Sequence, residues 1–199
     1  MEVKLFDMWD SNVEVKDISL KPYINVKPVL VPTTQGKLVK KQFWKSKKPI
    51  VERLMNKLFV TGHKGKKHWR SSGHNTGKKQ LAYNIVKETF KIIGKKENKN
   101  PAQVFVDAIE NGAPREGIAT IEYGGVRYPK SMDLSPQRRI DLVLRWMTQG
   151  AYNTSAKAGT KKTISQTLSE EIIAAAHNDS TSNIIKKKTD LERQAEASR

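Results

Sequence analysis

Basic side chains that could bind phosphate cluster between residues 115 and 145 of this 199-residue chain. Five of the nine arginines lie in this interval of 31 residues. Guanidinium is a planar fork of donors, so arginine can bind phosphate in bidentate fashion and stack on bases, whereas lysine is a compact charge. The pattern therefore indicates contact with a polyanion. The residues are Arg115, Arg127, Lys130, Arg138, Arg139 and Arg145.

A β-hairpin is predicted to carry the first of these cations. Residues 118–123 and 126–132 are two runs of strand-forming residues, and they flank Gly124 and Gly125. A pair of glycines supplies the positive φ values that a two-residue hairpin turn needs. Pro129 lacks a ladder donor, which suits an uncovered edge. We interpret the hairpin, at about residues 117–133, as a probe that projects from a helical body and is held by a polyanion.

A helix that carries the remaining arginines is predicted directly after the hairpin. Ser135 offers an N-cap, Pro136 fits the first helical position, and apolar residues then recur at helical spacing. The alternative to a binding role is an ordinary hairpin packed on its own domain. In that case Asp141 would pair with Arg138 or Arg145 on the same helix.

The net charge of the chain, +17, is concentrated in its central third. Residues 37–99 carry a net charge of +16, whereas residues 1–36 carry −1 and residues 100–199 carry +2. A solvated surface would mix both signs to limit repulsion. The central third is therefore predicted to bind an anionic partner, with nucleic acid favoured over a membrane surface.

A glycine-rich loop at residues 61–79 has the composition of a phosphate-binding surface. Glycine lets the backbone approach phosphates closely, and an indole offers a face for base stacking. The histidines of the loop, His63, His68 and His74, have no cysteine or carboxylate nearby and are surrounded by lysines, so no metal site is predicted. The loop residues assigned to nucleic acid are Lys64, Lys66, Lys67, Trp69, Arg70, Lys78 and Lys79.

Composition excludes several classes of protein. The absence of cysteine removes disulfide scaffolds and cysteine-based zinc sites. No apolar run approaches the ~18 residues of a membrane span, so no membrane partner is expected. The remaining histidine, His177, stands where a helix is predicted to end and is expected to cap its carbonyls. No enzyme activity and no cofactor are predicted.

Apolar periodicity predicts a mainly α fold: a bundle of about six helices with a protruding two-stranded hairpin and an extended N-terminal segment. Gly94 is expected to stop the second helix, Asn100 and Gln103 to form a capping box for the third, and Thr163 and Gln166 to form one for the fifth. The helices are predicted at about residues 48–59, 79–93, 101–112, 136–151, 164–178 and 183–195.

The N-terminal extension, residues 1–45, is predicted to precede a helical RNA-binding domain at residues 46–199. Three prolines interrupt any helix or central strand in the extension, so short edge strands or extended segments are expected there. Its apolar residues are numerous enough to dock on the helical body. Phe43 and Trp44 lie in a basic stretch, FWKSKKP, and are expected to fill the core.

Lys186, Lys187 and Lys188 stand in the first turns of the last predicted helix. The helix macrodipole disfavours cations there by ~0.3–1 kcal/mol each. A placement that costs stability indicates an anion nearby, and these lysines are included among the candidates for nucleic-acid contact. The alternative is a solvated lysine run.

Four stretches of the sequence resemble the seventh family of small-subunit ribosomal proteins. They are NPAQVFVDAIENGAPRE, VRYPKSMDLSPQRRIDLVLRWM, TISQTLSEEIIAAA and IIKKKTDLERQAEASR. The resemblance covers residues 49–199 in order. The N-terminal portion and the stretch GHNTGKK are similar to the archaeal and eukaryotic branch of the family.

The resemblance implies a cytoplasmic, structural component of the small ribosomal subunit. Such a protein binds the 3′ major domain of the rRNA first and nucleates assembly of the subunit head, beside neighbouring head proteins. Its hairpin lies near mRNA and exit-site tRNA, which here implicates Gly124, Gly125, Arg127, Tyr128 and Lys130. The family's rRNA contacts, carried over to this sequence, are Lys45, Lys47, Lys48, Lys64, Lys66, Lys67, Arg70, Arg138, Arg139 and Arg145.

Two other classes of function are weighed against this one. An architectural DNA-binding protein would insert the hairpin into a minor groove, and Pro129 resembles a kinking wedge, but the hairpin is short and there is no dimerisation heptad. An RNA-processing enzyme would need a nucleophile with its base, paired titratable groups or a metal cage. The acids of the central third are only Glu52, Glu88 and Glu97.

Overall fold

Six α-helices form the body of the protein, and an antiparallel hairpin extends from it. The computed structural model describes residues 3–10, 12–61, 63–64, 67–68, 75–156 and 161–199, with backbone only at residues 63, 64, 67 and 68. The helices are α1 (Ile50–Lys57), α2 (Lys79–Glu97), α3 (Pro101–Gly112), α4 (Pro136–Ser155), α5 (Ile164–Ala176) and α6 (Asn183–Glu196). A short ladder joins β1 (His63–Lys64) to β2 (Lys67–His68), and the hairpin consists of β3 (Glu116–Tyr123) and β4 (Val126–Asp133). The predicted fold class is confirmed.

One hydrophobic core joins the helices to the N-terminal extension. Leu5, Phe6, Leu20 and Ile24 of the extension are buried in the same cluster as the helical residues. Burying a side chain of this size contributes about 1.5–3 kcal/mol, so the extension stabilises the fold. The division of the chain at residue 45 remains a prediction. The core residues that the helices contribute include Leu54, Phe90, Phe105, Leu144, Leu168 and Ile184.

Side chains of α3, rather than a neighbouring strand, bond the backbone of the extension. Gln103 accepts a hydrogen bond from the Glu14 amide at 2.9 Å and donates one to the Glu14 carbonyl at 3.0 Å. Glu110 accepts one from the Asp17 amide at 2.9 Å. The extension was expected to form short edge strands or extended segments. Residues 12–17 form no ladder strand, and these α3 side chains satisfy the backbone groups of Glu14 and Asp17 instead.

Local signals at chain reversals and helix starts are reproduced where no distant partner intervenes. Gly124 and Gly125 have φ values of 58° and 79°, as a two-residue hairpin turn requires. Thr163 forms the predicted capping box with Gln166. Pro136 occupies the first turn of α4 behind Ser135, whose side chain makes no capping bond.

Two predicted helix signals are wrong, one because a distant residue binds the side chain concerned and one because a later residue ends the helix. The third helix is capped by Asn100, whose side chain accepts from the Ala102 backbone amide at 3.0 Å. The side chain of Gln103 bonds Glu14 of the extension instead, so it forms no capping box. Gly94 does not stop α2. It lies inside the helix against Pro101, and the helix ends at Asn98, which takes the left-handed conformation with φ 51°.

Arg139 of α4 is buried and ties the extension to the body. Its guanidinium donates to the Pro114 carbonyl at 3.0 Å, to the Ser19 hydroxyl at 2.7 Å and to the Asp17 carboxylate at 3.1 Å. Burial raises the pKa of Asp17, but hydrogen bonds from Ser19 and the charge of Arg139 outweigh it and leave the pKa below 3.8. One side chain therefore joins the extension, the segment before the hairpin and α4.

Replacing Arg139 with methionine is expected to destabilise the protein by about 2–4 kcal/mol. The change leaves the Asp17 carboxylate and the buried Pro114 carbonyl without their donors, while it keeps the apolar stem. Chemical denaturation measures this loss. Arg138→Met is the matched control, because Arg138 is exposed on the same turn of α4 and should change stability by no more than about 0.5 kcal/mol. Equal losses in the two variants would contradict the assignment.

Acid is expected to remove the contribution of the Asp17–Arg139 pair. The pKa of Asp17 in the folded protein lies below its ordinary value of 3.8, so the pair contributes fully above that pH and is lost as the pH falls through the lower, folded value. The difference in urea midpoint between wild type and Asp17→Asn should therefore shrink as the pH is lowered from 7 to 2. Asp190→Asn, in an exposed pair with Arg193, is the control.

Candidate nucleic-acid interface

A cationic cluster surrounds Asp141 where α1 meets α4. Asp141 accepts hydrogen bonds from the ammonium of Lys45 and, at 3.1 Å, from the guanidinium of Arg53. Lys57 of α1 and Arg145 of α4 line one groove, and Lys57 lies within electrostatic reach of Asp141. Burial raises the pKa of Asp141, but the Lys45 hydrogen bond and the Arg53 charge outweigh it and leave the pKa below 3.8. Asp141 thus bonds two cations directly, and Lys57 and Arg145 stand close by; we call Asp141 and these four cations the Asp141 cluster.

Two members of the Asp141 cluster are absent from the candidates chosen by sequence. Arg53 and Lys57 stand four residues apart on α1, a spacing that puts both on one face. Burial lowers the pKa of Lys57, and the charge of Asp141 opposes that shift. Asp141 pairs with Arg53 and Lys45, so the expected pairing with Arg138 or Arg145 is wrong. Their four-residue spacing on α1 was the sequence signal that could have identified Arg53 and Lys57.

The basic segment, residues 37–48, lies beside this cluster. It contains six lysines and no acid. The ammonium groups of Lys41 and Lys47 stand 5.3 and 4.7 Å from the ring centre of Trp44. Phe43 is 64% exposed, so the expectation that it fills the core is wrong. Gln137 of α4 donates to the Phe43 carbonyl at 3.4 Å, which brings the segment next to the exposed Arg138.

Three predicted contacts have partners inside the protein. Arg139 is buried in the bonds described above and does not present its guanidinium to solvent, so its assignment to an external ligand is corrected. Lys79 bonds Thr33 and stands 3.2 Å from the buried carboxylate of Glu52. Lys188 donates to the Asn111 carbonyl at 2.8 Å.

The anion expected near Lys186 and Lys187 is a carboxylate of the protein itself. Glu171 accepts from the Ser182 hydroxyl at 2.7 Å and from the Ile184 amide at 3.0 Å, so it caps the first turn of α6. Burial raises the pKa of Glu171 above 4.5. The two lysines are exposed, but their placement no longer requires an external anion.

Arg115 and Lys188 share a groove of mixed charge. The groove lies between the start of the hairpin and α6 and is also lined by Glu116, Glu192 and Glu196. With Arg193 and Arg199 it has four cations, and its three acids offset most of that charge, unlike the surface around Asp141. The predicted candidates therefore separate into a strongly basic face on α1, α4 and the basic segment, and a weaker group near α6.

The hairpin has two chemically different faces. Directly opposite residues share a face, so Lys130 lies with Ala119, and Tyr128 with Ile121, on a largely apolar face. Arg127 lies on the other face and pairs with Glu122 at 3.3 Å. The predicted hairpin cations thus point to opposite sides. The register pairs are Ala119 with Lys130, Ile121 with Tyr128, Tyr123 with Val126, and Glu122 with Arg127.

The charge of the hairpin does not support the prediction that a polyanion holds it through phosphate contacts. Residues Glu116–Asp133 contain three acids and two cations, which leaves them slightly negative. Tyr123, Val126 and Tyr128 are instead exposed apolar or aromatic groups. The base of the hairpin is fixed by the end of the chain, where Ser198 accepts from the Ser131 amide at 3.3 Å.

Most of the glycine-rich loop lies outside the described residues, including Lys66, Trp69 and Arg70; for Lys64 and Lys67 only the backbone is described. Lys78 is exposed at the start of α2. No group of three or more potential metal ligands occurs in the described part of the chain.

His177 is the C-cap residue of α5, and its backbone N–H donates to the Ile173 carbonyl at 3.0 Å, so the expected capping is confirmed through the backbone. Its side chain lies 3.2 Å from the Glu97 carboxylate. Glu97 ends α2 and His177 follows α5, so the contact joins two helices that are far apart in sequence. Among the described helices, none combines the length and the apolar character needed to cross a membrane.

Known proteins resemble this chain over nearly its full length. Residues 20–199 match the family described as ribosomal protein S7p/S5e. A protein of Nanoarchaeum equitans named small ribosomal subunit protein uS7 is 50% identical over the whole of both chains. Proteins of the same name from Archaeoglobus fulgidus and Methanosphaera stadtmanae are 45% and 44% identical, over 100% and 98% of this chain and 96% and 98% of their own.

The extent of the chain that these matches cover shows which family it belongs to. The family match spans far more than half of the sequence, and the archaeal relatives align from end to end. The resemblance found in the four sequence stretches is thereby confirmed. The chain belongs to the ribosomal protein S7p/S5e family.

Proposed function

We infer that this protein is a structural, non-enzymatic component of the small ribosomal subunit, with rRNA and other ribosomal proteins as its partners. Its place of action is the cytoplasm, where these subunits work. In finer detail, the protein binds the 3′ major domain of the rRNA first and thereby nucleates assembly of the subunit head. The Asp141 cluster, continuous with the basic segment, is the observation that carries this proposal.

The electrostatics of this face suit a folded RNA. The Asp141 cluster contains four cations and one carboxylate, and the basic segment adds five further lysines beside it. Phosphate groups of a compact RNA can bind such a surface, and binding is favoured because it releases counterions from the RNA. Because Asp141 already orients Lys45 and Arg53, less side-chain entropy is lost when phosphates bind. Structured RNA is recognised largely by shape and by phosphate and 2′-hydroxyl contacts, which this surface offers.

The interface proposed from this geometry differs from the one proposed from sequence by the loss of Arg139 and Lys79 and the gain of Lys57. Arg53 is buried against Asp141 and the Tyr23 carbonyl, so it supports the face without contacting RNA. Loop residues Lys64, Lys66, Lys67, Trp69 and Arg70 remain proposed contacts. Arg115, Lys186 and Lys187 form a second, weaker group, to which the internally bonded Lys188 adds little. The proposed core of the interface is Lys45, Lys47, Lys48, Lys57, Lys78, Arg138 and Arg145.

The hairpin serves a different partner from the body in this proposal. Its largely apolar face, with Tyr123 and Tyr128, can stack on unpaired bases, which fits mRNA and exit-site tRNA. Its charge balance fits a role that does not anchor the protein. Proteins of the subunit head next to the exit site would be the other neighbours of the hairpin.

The geometry of the hairpin does not favour the alternative, a DNA-binding role. Side-chain wedges that kink DNA insert between base steps. Pro129 pairs with Thr120 in the middle of the ladder, three residues back from Val126, where β4 leaves the turn. This position gives the wedge interpretation of Pro129 no support, and small-subunit rRNA remains the polyanion that this proposal assigns.

Removal of a cation from the proposed interface is expected to reduce the salt dependence of rRNA binding. Each lost phosphate contact lowers the slope of log affinity against log salt by roughly 0.7–0.9. Filter binding of Arg145→Gln to a transcript of the 3′ major domain measures this slope against wild type. Lys162→Gln is the control, because Lys162 is exposed but bonded to Glu170 at 2.8 Å and lies outside the interface. Identical slopes in the two variants would contradict the interface.

Shortening the hairpin is expected to spare rRNA binding and impair exit-site tRNA binding. Replacing residues 121–128 with two glycines leaves Thr120 opposite Pro129, so the ladder closes on a new two-residue turn. Affinity for the rRNA transcript should stay within about twofold of wild type. Exit-site occupancy by deacylated tRNA, measured on reconstituted small subunits, should fall. A loss of primary rRNA binding would reverse the proposed roles of hairpin and body.

A further inference from the structure

Phe43 combines an unfavourable backbone with an exposed ring. Its φ is 65°, in the left-handed region that side chains with a Cβ rarely adopt. Phe6 shares this feature, with φ 55°, but only 3% of Phe6 is exposed. Its ring packs against Trp9 and Tyr83, and that burial offsets the strain. Phe43 is 64% exposed, so packing offers far less compensation.

Three donors hold the backbone of Phe43 in place. Its carbonyl accepts from the Ser46 amide at 3.1 Å, from the Ser46 hydroxyl at 2.8 Å and from the Gln137 side chain at 3.4 Å. Strained residues persist where their surroundings fix the conformation in this way, and they concentrate at binding sites. Gln137 precedes Arg138 on α4, so these bonds also fix the ring relative to the proposed RNA-binding face.

The ring of Phe43 is an open aromatic surface among cations. Trp44, its neighbour, already has the ammonium groups of Lys41 and Lys47 over its ring. Within the described residues, neither a cation nor another aromatic ring stacks on Phe43. All charged side chains of residues 37–48 are lysines. An apolar protein surface docked here would have to desolvate those lysines, whereas a nucleotide supplies both a flat base and a phosphate.

We propose that Phe43 is a stacking platform for one unpaired base of the RNA, and that the surrounding lysines bind the phosphates on either side of that nucleotide. This inference rests on the proposed rRNA-binding function and adds a residue-level contact to it. Every base has a π-face, so the contact contributes affinity without selecting a sequence. The backbone conformation at Phe43 turns the ring outward before the RNA arrives.

Phe43→Leu is expected to weaken binding to the 3′ major-domain transcript by roughly 5- to 150-fold, the range for loss of one stacked base. Leucine keeps an apolar side chain at the same backbone conformation but has no aromatic face. Because no charge is lost, the salt slope should equal that of wild type, whereas Lys47→Gln should lower it by roughly 0.7–0.9. Phe43→Tyr retains the face and should bind within about twofold of wild type.

The outcomes separate this inference from the proposed function. Failure of the wild type to bind the transcript would overturn the rRNA-binding function itself. Binding by wild type and Phe43→Leu with equal affinity would overturn only the stacking contact. Equal losses in Phe43→Leu and Phe43→Tyr would make the ring a packing residue and also overturn it. Retained rRNA affinity in Phe43→Leu with loss of a head protein from reconstituted subunits would assign the ring to protein docking instead.

A stability measurement without RNA tests the same point independently. In Phe43→Gly, relief of the left-handed conformation should offset the lost packing of the ring, so Tm should stay within about 3 °C of wild type while rRNA affinity falls. Gln35→Gly is the matched control, because Gln35 is also exposed with a positive φ of 48°. It should retain full rRNA affinity. A Tm drop in Phe43→Gly well beyond this range would overturn the proposal.

Discussion

Repulsion among cations is the constraint on which the rest of this structure depends. Residues 37–99 carry a net charge of +16, and wherever the fold brings some of these cations close together it needs a counter-charge. Two carboxylates occupy such points. Glu52, buried on α1, accepts from Thr34 and Lys79, and Asp141 on α4 holds Lys45 and Arg53. Among the described residues, Lys41, Lys47 and Lys78 remain on the surface, where an external polyanion can neutralise them.

The N-terminal extension depends on the same kind of bond at a buried position. Arg139 joins Asp17 and Ser19 to α4, and Gln103 of α3 bonds both backbone groups of Glu14. A buried charge left without its partner is costly, so these contacts fix one path for an extension that forms no ladder strand in its described part. These contacts therefore place the basic segment, at the end of the extension, beside α4 and next to Arg138.

Sequence predicted the elements whose signals are local and failed where a distant partner decides. The Thr163 capping box and the glycine turn of the hairpin involve residues within three positions of each other, and both are present. Gln103, Arg139 and Phe43 were misassigned because their partners or surroundings come from residues about 90 or more positions away. Charge pattern located the cationic face, but it could not separate exposed cations from those, such as Arg139 and Lys79, that bond inside the protein.

Glu171 shows why a charge pattern alone is ambiguous about partners. Lysines in the first turns of α6 indicated an anion, and the anion is the protein's own carboxylate, bound to Ser182 and the Ile184 amide. The same reasoning applies in reverse to the Asp141 cluster, where one carboxylate meets four cations and the internal supply of negative charge falls short. The hairpin, with more acids than cations, has no such deficit. The excess of positive charge on the body of the protein, which the hairpin does not share, therefore favours an external polyanion as the partner of the body.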